Sequence, residues 1–250
     1  MNNVDNAAYI LSFILGTSIG SALLCAAMRY ADNQNWISGR SICDNCKKVL
    51  TWDQLIPVVS FLIYRGKCKE CQKEMSWFYL VFEVIAGLAI LIIAARFMEF
   101  GDIWILARDL VIVLIALFAL ALDWYKMLVN VRLMIVGSVI VVLMPSGLSI
   151  AEMLIGACVG IAFFGVQYLL TRGKGIGSGD MFLGMFMGFA LGWPYVIISI
   201  FIGYIFGSVH AVHLLATKKA NRKTKLSLGM YLMIGLILAL GVQILQLSIL

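Results

Sequence analysis

The sequence has 250 residues, of which 62% are hydrophobic and 13% charged. A water-soluble domain carries roughly 25% charged residues, so this chain has too little charge to cover a soluble globule. Net charge is +6, from 19 Lys and Arg against 13 Asp and Glu. No basic stripe is interleaved with aromatic residues on a polar face, which argues against nucleic acid as a partner. With three prolines and no low-complexity tract, a disordered or collagen-like chain is excluded as well. The composition is that of an all-α polytopic membrane protein, with membrane lipid as its surroundings.

A membrane helix takes about 20 mainly apolar residues. The first such run is Ala7–Met28. Its basic residue, Arg29, follows the apolar stretch instead of preceding it, so it reads as a retained helix with its N-terminus outside and not as a signal peptide. The polar stretch 29–76 comes next and holds Cys43-Asp-Asn-Cys46 and Cys68-Lys-Glu-Cys71, with 21 residues between the pairs. Two such knuckles match a four-thiolate structural zinc site; a redox dithiol pair and an iron–sulfur centre are the alternatives. An insert this small cannot build a sufficient core and needs a staple. Four thiolates would leave the zinc no open position for water, so it would be structural. Cys25 and Cys158 stand alone in apolar runs and read as small buried hydrophobes.

The second span, Trp77–Met98, carries Glu83 one-third of the way in, a costly depth for a charge. A charge at that depth needs a buried hydrogen bond or a polar surface to face. The third span, Ile103–Leu122, carries Arg108 and Asp109 in its outer part. Neighbours in sequence point about 100° apart on a helix, so a mutual pair is not expected, and Arg108 is expected to snorkel to the outer interface. Leu133–Leu148 and Ile150–Leu170 follow, separated by the turn Pro145-Ser146-Gly147. Met181–Gly192 is short, Pro194–Leu215 is full length and Met230–Leu250 closes the set at about eight spans. His210 and His213, three apart near the inner end of the seventh span, read as structural histidines. The run Lys218, Lys219, Arg222, Lys223 and Lys225 reads as an anchor against anionic lipid. The segments 29–76, 123–132, 171–180 and 216–228 hold 17 of the 19 basic residues and are therefore assigned to the cytoplasm. Three parts result: a first helix (1–28), a cytoplasmic tetra-cysteine domain (29–76) and a seven-helix membrane core (77–250).

Two aspartates fall at the inner boundary. Asp123 ends the third span in Leu-Ala-Leu-Asp-Trp-Tyr, and Asp180 opens the sixth after Gly175-Ile-Gly-Ser-Gly179. An aspartate opening a helix is an ordinary cap, but carboxylates at this depth are functional candidates. Paired, they share a proton: one activates a water, and the other polarises a carbonyl and then protonates the leaving amine.

The run Arg40-Ser-Ile-Cys-Asp-Asn-Cys46, then Leu50-Thr-Trp, Leu55-Ile-Pro-Val-Val-Ser60, Arg65-Gly-Lys-Cys68 and Tyr79-Leu-Val-Phe-Glu83, resembles the bacterial type IV prepilin peptidases, GxGD-type aspartyl proteases of the membrane. Gly177-Ser-Gly179-Asp180 matches the family's signature, and Asp123 falls where it has its first catalytic aspartate. The chain departs from the pattern at Leu24, Asn130, Val131, Lys174, Phe182 and the closing run Ser227-Leu-Gly229-Met-Tyr231. The resemblance implies a multi-pass protein of the bacterial inner membrane with its catalytic face in the cytoplasm. It implies cleavage of the leader of prepilins or pseudopilins by Asp123 and Asp180, and methylation of the new N-terminus with S-adenosylmethionine, for which Glu83 is the candidate contact. An inactive homologue that binds or assembles pilins is the alternative the departures raise. An ion-coupled transporter is disfavoured, because no inverted repeat is visible.

Overall fold

The computed structural model describes residues 3–36, 39–43, 45–218 and 226–247. Its regular structure is helical: α1 (Asn3–Ala31), α2 (Val59–Ile63), α3 (Trp77–Phe100), α4 (Ile103–Lys126), α5 (Val131–Leu143), α6 (Ile150–Thr171), α7 (Ser178–Leu191), α8 (Tyr195–Ala216) and α9 (Leu228–Leu247). Six of these, α1, α3, α4, α6, α8 and α9, are long and apolar enough to cross a membrane. The remaining two expected spans, α5 and α7, have 13 and 14 residues. At a rise of about 1.5 Å per residue they reach roughly 20 Å, against about 30 Å of hydrocarbon. The basic run at 219–225 lies outside the described residues.

Contacts divide the chain into two units, Met1–Ala95 and Arg96–Leu250. In the first, α1 packs on α3 through small residues, the usual means of close approach between helices in lipid. A Cβ on Gly16 would lie 2.8 Å from the Cα of Gly87, and one on Gly20 would lie 2.5 Å from the Cβ of Ala86. Among the described residues, the polar insert between these helices has two isolated bridges, Ile42 with Val49 and Lys67 with Glu74, one around each cysteine pair.

In the second unit α7 lies against α5, α6, α8 and α9. That position explains why Leu183, Phe186, Met187, Ala190 and Leu191 are all buried in one short helix. Glycines again set the approach: a Cβ on Gly160 would meet the Gly184 carbonyl oxygen at 2.1 Å, and one on Gly235 the Ser199 carbonyl at 2.3 Å. Polar side chains close the helix starts. Asp102 accepts from the amide of Trp104, Asn130 from that of Leu133 and Ser149 from that of Glu152.

Arg108 does not snorkel. It is 4% exposed and donates from Nη2 to the Ala190 carbonyl at 2.7 Å, while Asp109 pairs with Arg96 at 2.7 Å. Because α7 is too short to reach the far interface, its terminal carbonyls end inside protein and need a donor. Arg108 supplies one, and Gln243 donates to the next, on Leu191, at 3.3 Å. Cys158 is exposed on α6 and Cys25 half-buried on α1, so neither is the buried hydrophobe expected.

Candidate active site and metal centre

Asp123 lies in the last turn of α4, which runs on to Lys126 and stops with Met127 in the left-handed region. The side chain is 6% exposed. Its Oδ2 accepts from the Met230 amide at 2.6 Å and from the Ser227 hydroxyl, both at the start of α9. Asp180 lies in the first turn of α7 and is 9% exposed. Its Oδ2 accepts from the Gly177 amide at 2.9 Å, the reciprocal half of a capping arrangement. The capping role considered for Asp180 is therefore present, and it occupies one carboxylate oxygen.

Two close contacts bring the aspartates to the same end of this unit. A Cβ on Gly179 would lie 2.8 Å from the Cβ of Val129, so the glycine loop before Asp180 rests on the connection that follows Asp123. Gly229 is wedged between the two helices: a Cβ there would lie 2.9 Å from Oδ2 of Asp123 and 2.9 Å from Leu183, one turn along α7 from Asp180. The carboxylates are close enough for the charge of Asp123 to act on Asp180. Tyr231 on α9 lies within the field of Asp123, and Tyr204 on α8 within that of Asp180. Tyr231 hydrogen-bonds Nδ1 of His210, and Tyr204 donates to Gln167 at 2.9 Å. His210 is thus a partner of the tyrosine beside Asp123, while His213 carries the last-turn position of α8.

Tyr204 and Gln167 have no signature of their own in the sequence, and Ser227 and Tyr231 stand out there only as parts of the closing run. The usable signal was Gly229, a small residue at the start of a long apolar helix beside the glycine-rich loop.

In the first unit the four sulfurs of Cys43, Cys46, Cys68 and Cys71 lie within 4.8 Å of one another, with Cys43 and Cys71 3.9 Å apart. Thiolates around one tetrahedral zinc, with bonds of about 2.3 Å, stand about 3.8 Å from each other. The two knuckles are built alike. Cys43 donates its amide to Lys48 and Cys68 its amide to Lys73; Lys47 and Gln72, directly after each pair, turn back with positive φ. Amides of Cys46 and Asn45 point at the Cys43 sulfur, and those of Cys71 and Glu70 at the Cys68 sulfur. The Cys71 amide pulls the Cys68 thiol down to about 7, while burial pushes Cys43 up to about 11. Buried sulfurs facing amide donors suit a bound cation, and the four together form a site for one metal ion.

Glu83 is buried on α3 and its carboxylate is engaged. It accepts from the Val58 amide at 2.8 Å and from the Ser21 hydroxyl on α1. Val58 has φ of 63°, an unusual conformation for a β-branched residue, so Glu83 holds a strained turn in place.

Residues 14–97 match the bacterial peptidase A24 N-terminal domain, and residues 110–212 match the type IV leader peptidase family. The two matches together span most of the chain, which is thus similar to the type IV leader peptidase family in both its segments. Similar proteins include the prepilin leader peptidase/N-methyltransferase of Bacillus subtilis (strain 168), 28% identical over 91% of this chain and 91% of the relative. Proteins of the same name from Myxococcus xanthus and Aeromonas hydrophila are 28% and 29% identical, over 86% and 80% of this chain and 66% and 71% of the relatives. No solved structure matches with significance. The enzymatic names of these relatives support reading the chain as an enzyme. Within the family matches, the four cysteines and Glu83 fall in the first segment and both aspartates in the second.

Proposed function

We propose that the chain cleaves the leader peptides of prepilins or pseudopilins at the cytoplasmic face of the bacterial inner membrane, with Asp123 and Asp180 as the acid–base pair. The observation that supports this reading is a pair of buried carboxylates on different helices, near enough for the charge of Asp123 to act on Asp180, with the glycine loop seated on Val129 and Gly229 against Asp123 and Leu183. Lys126 follows Asp123, and Arg172 and Lys174 precede Asp180. Basic residues at these helix ends favour the cytoplasmic side.

The pair shares one proton. Its ionised member takes a proton from a water as that water attacks the scissile carbonyl; its protonated member donates a hydrogen bond to the carbonyl oxygen. Collapse of the tetrahedral intermediate returns a proton to the leaving amine. Ser227 and the amides of Gly229 and Met230 hold Asp123 in position, and the Gly177 amide holds Asp180. An apolar substrate helix would remain in lipid while its leader reaches this end of the bundle.

The four thiolates fit zinc, which would staple the insert and take no part in cleavage. Methyl transfer, named for the relatives, would draw on S-adenosylmethionine as methyl donor. Glu83, the candidate contact for that donor, also holds the Val58 amide and the Ser21 hydroxyl. Incubation of the purified protein with a model prepilin and S-adenosylmethionine, read by mass spectrometry, tests both halves. A shortened product supports cleavage, and an added methyl group supports transfer. An intact substrate across several prepilins favours the inactive homologue.

A further inference from the structure

The insert carries a row of exposed apolar side chains on and around α2: Leu55 is 45% exposed, Ile56 41%, Val59 46%, Leu62 62% and Ile63 66%. On the other side of the same segment Phe61 is 5% exposed and contacts the ring of Trp77 at 5.1 Å. The segment therefore presents apolar residues both to the protein and to its surroundings.

Its depth can be measured against the two helices of the same unit. Phe61 lies level with Trp77, the first residue of α3. Val58 lies level with Glu83, to which it donates a hydrogen bond; the six residues from Trp77 to Glu83 correspond to about 9 Å of helix. α1 gives a second ruler. Glu83 also takes the Ser21 hydroxyl, and Ser21 precedes Arg29, in the last turn of α1, by eight residues, or about 12 Å of helix. A terminal Arg and a terminal Trp mark the membrane–water boundary. Both rulers thus place Val58 on the hydrocarbon side of that boundary by about 10 Å, the depth to which interfacial amphipathic segments bury an apolar face. Arg65 and Lys67, which follow α2, are exposed where lipid headgroups would lie.

We propose that residues 55–63 form a wedge in the bilayer, with Leu55, Ile56, Val59, Leu62 and Ile63 in the lipid at the headgroup–acyl boundary, on the side where α1 ends and α3 begins. The occupant of this surface is lipid. Neither a protein partner nor a second copy is needed to cover it, and the wedge does not depend on the proteolytic reading. It fastens the metal-bearing insert to the membrane surface, and Glu83 acts as the clasp by fixing the turn at Val58.

The test is photocrosslinking of the full-length protein in mixed phosphatidylethanolamine–phosphatidylglycerol vesicles. Benzoylphenylalanine is placed singly at Leu62 and at Ile63, two of the most exposed apolar positions of the segment, so that replacement leaves the core untouched. Leu88, 47% exposed in the middle of α3, serves as the lipid-facing control, and Lys73, exposed on the polar side of the insert, as the aqueous control. Intact-mass spectrometry is expected to find lipid adducts at Leu62 and Ile63 in yields comparable with Leu88, and none at Lys73. Adducts to residues 96–250, adducts to a second copy, or yields no higher than at Lys73 would overturn the proposal.

Discussion

Gly229→Ala separates the site's geometry from the stability of the fold. Gly229 is the second residue of α9, and its φ is not in the left-handed region, so alanine meets no backbone penalty there. Helix propensity alone would stabilise the variant by about 0.5–1 kcal/mol. The added methyl, however, would lie 2.9 Å from Oδ2 of Asp123 and 2.9 Å from Leu183, against an ordinary contact of 3.4 Å or more. One of them must yield by about 0.5 Å. Leu183 is packed in the centre of the unit, so the carboxylate moves. Overpacking of this kind costs about 1–3 kcal/mol, which leaves net stability lower by about 1 kcal/mol. Because a misplacement of 1 Å at a reacting group costs about 100-fold, half that distance is expected to lower kcat/KM about 10-fold. Prepilin cleavage kinetics and thermal unfolding in the same detergent supply the two numbers. Unchanged kcat/KM in a folded Gly229→Ala protein would refute the placement of Asp123 against α9.

Arg108→Met removes the donor to the buried Ala190 carbonyl and leaves Asp109 with Arg96 alone. A loss of about 1–3 kcal/mol is expected from the Ala190 carbonyl left buried without its donor, read as a lower unfolding temperature; an unchanged one would contradict the capping of α7. Cys43→Ser is expected to release the bound metal and to open residues 40–76 to protease, with metal measured by elemental analysis; full metal content would exclude a four-thiolate site. In the insert, Asp53 is held below the ordinary carboxylate range by Thr51, Tyr64 and Lys69. Its folded-state value is depressed, so its contribution is present at neutral pH and lost as pH falls below the ordinary carboxylate range. Protease protection of the insert should fall in acid, and Tyr64→Phe should move that loss to higher pH; an identical acid profile would remove Asp53 from the account.

Much of the fold was legible because lipid imposes a simple rule: an apolar run of sufficient length is a helix. The ends were less so. α5 was expected to run to Leu148 but stops at Leu143, where Met144 turns extended ahead of Pro145. α4 continues past Asp123 by one turn, which carries the carboxylate inside the helix end. The two aspartates and four cysteines were readable as rare residue types in costly or regularly spaced positions. Ser227 and Tyr231 were not, since a hydroxyl in a helix start is ordinary until the fold sets Asp123 beside it. Arg108 was misread because an arginine near an interface usually reaches water. The overlooked signal was the sixth span itself, whose shortness leaves its last carbonyls inside the bundle. Glu83 lies at a costly depth in the sequence, and only the structure shows that its carboxyl group meets the Val58 amide and Ser21.

The central claim is that Asp123 and Asp180 act together on a peptide bond. Its most direct test is single-turnover cleavage of a model prepilin by the wild type, Asp123→Asn, Asp180→Asn and the double variant, all reconstituted in the same vesicles. Asparagine keeps the size of each side chain and its oxygen acceptor but cannot exchange the proton. Each single variant is expected to lose activity as completely as the double variant, as residues acting as one unit do. Turnover retained in either folded, membrane-inserted single variant would contradict the dyad.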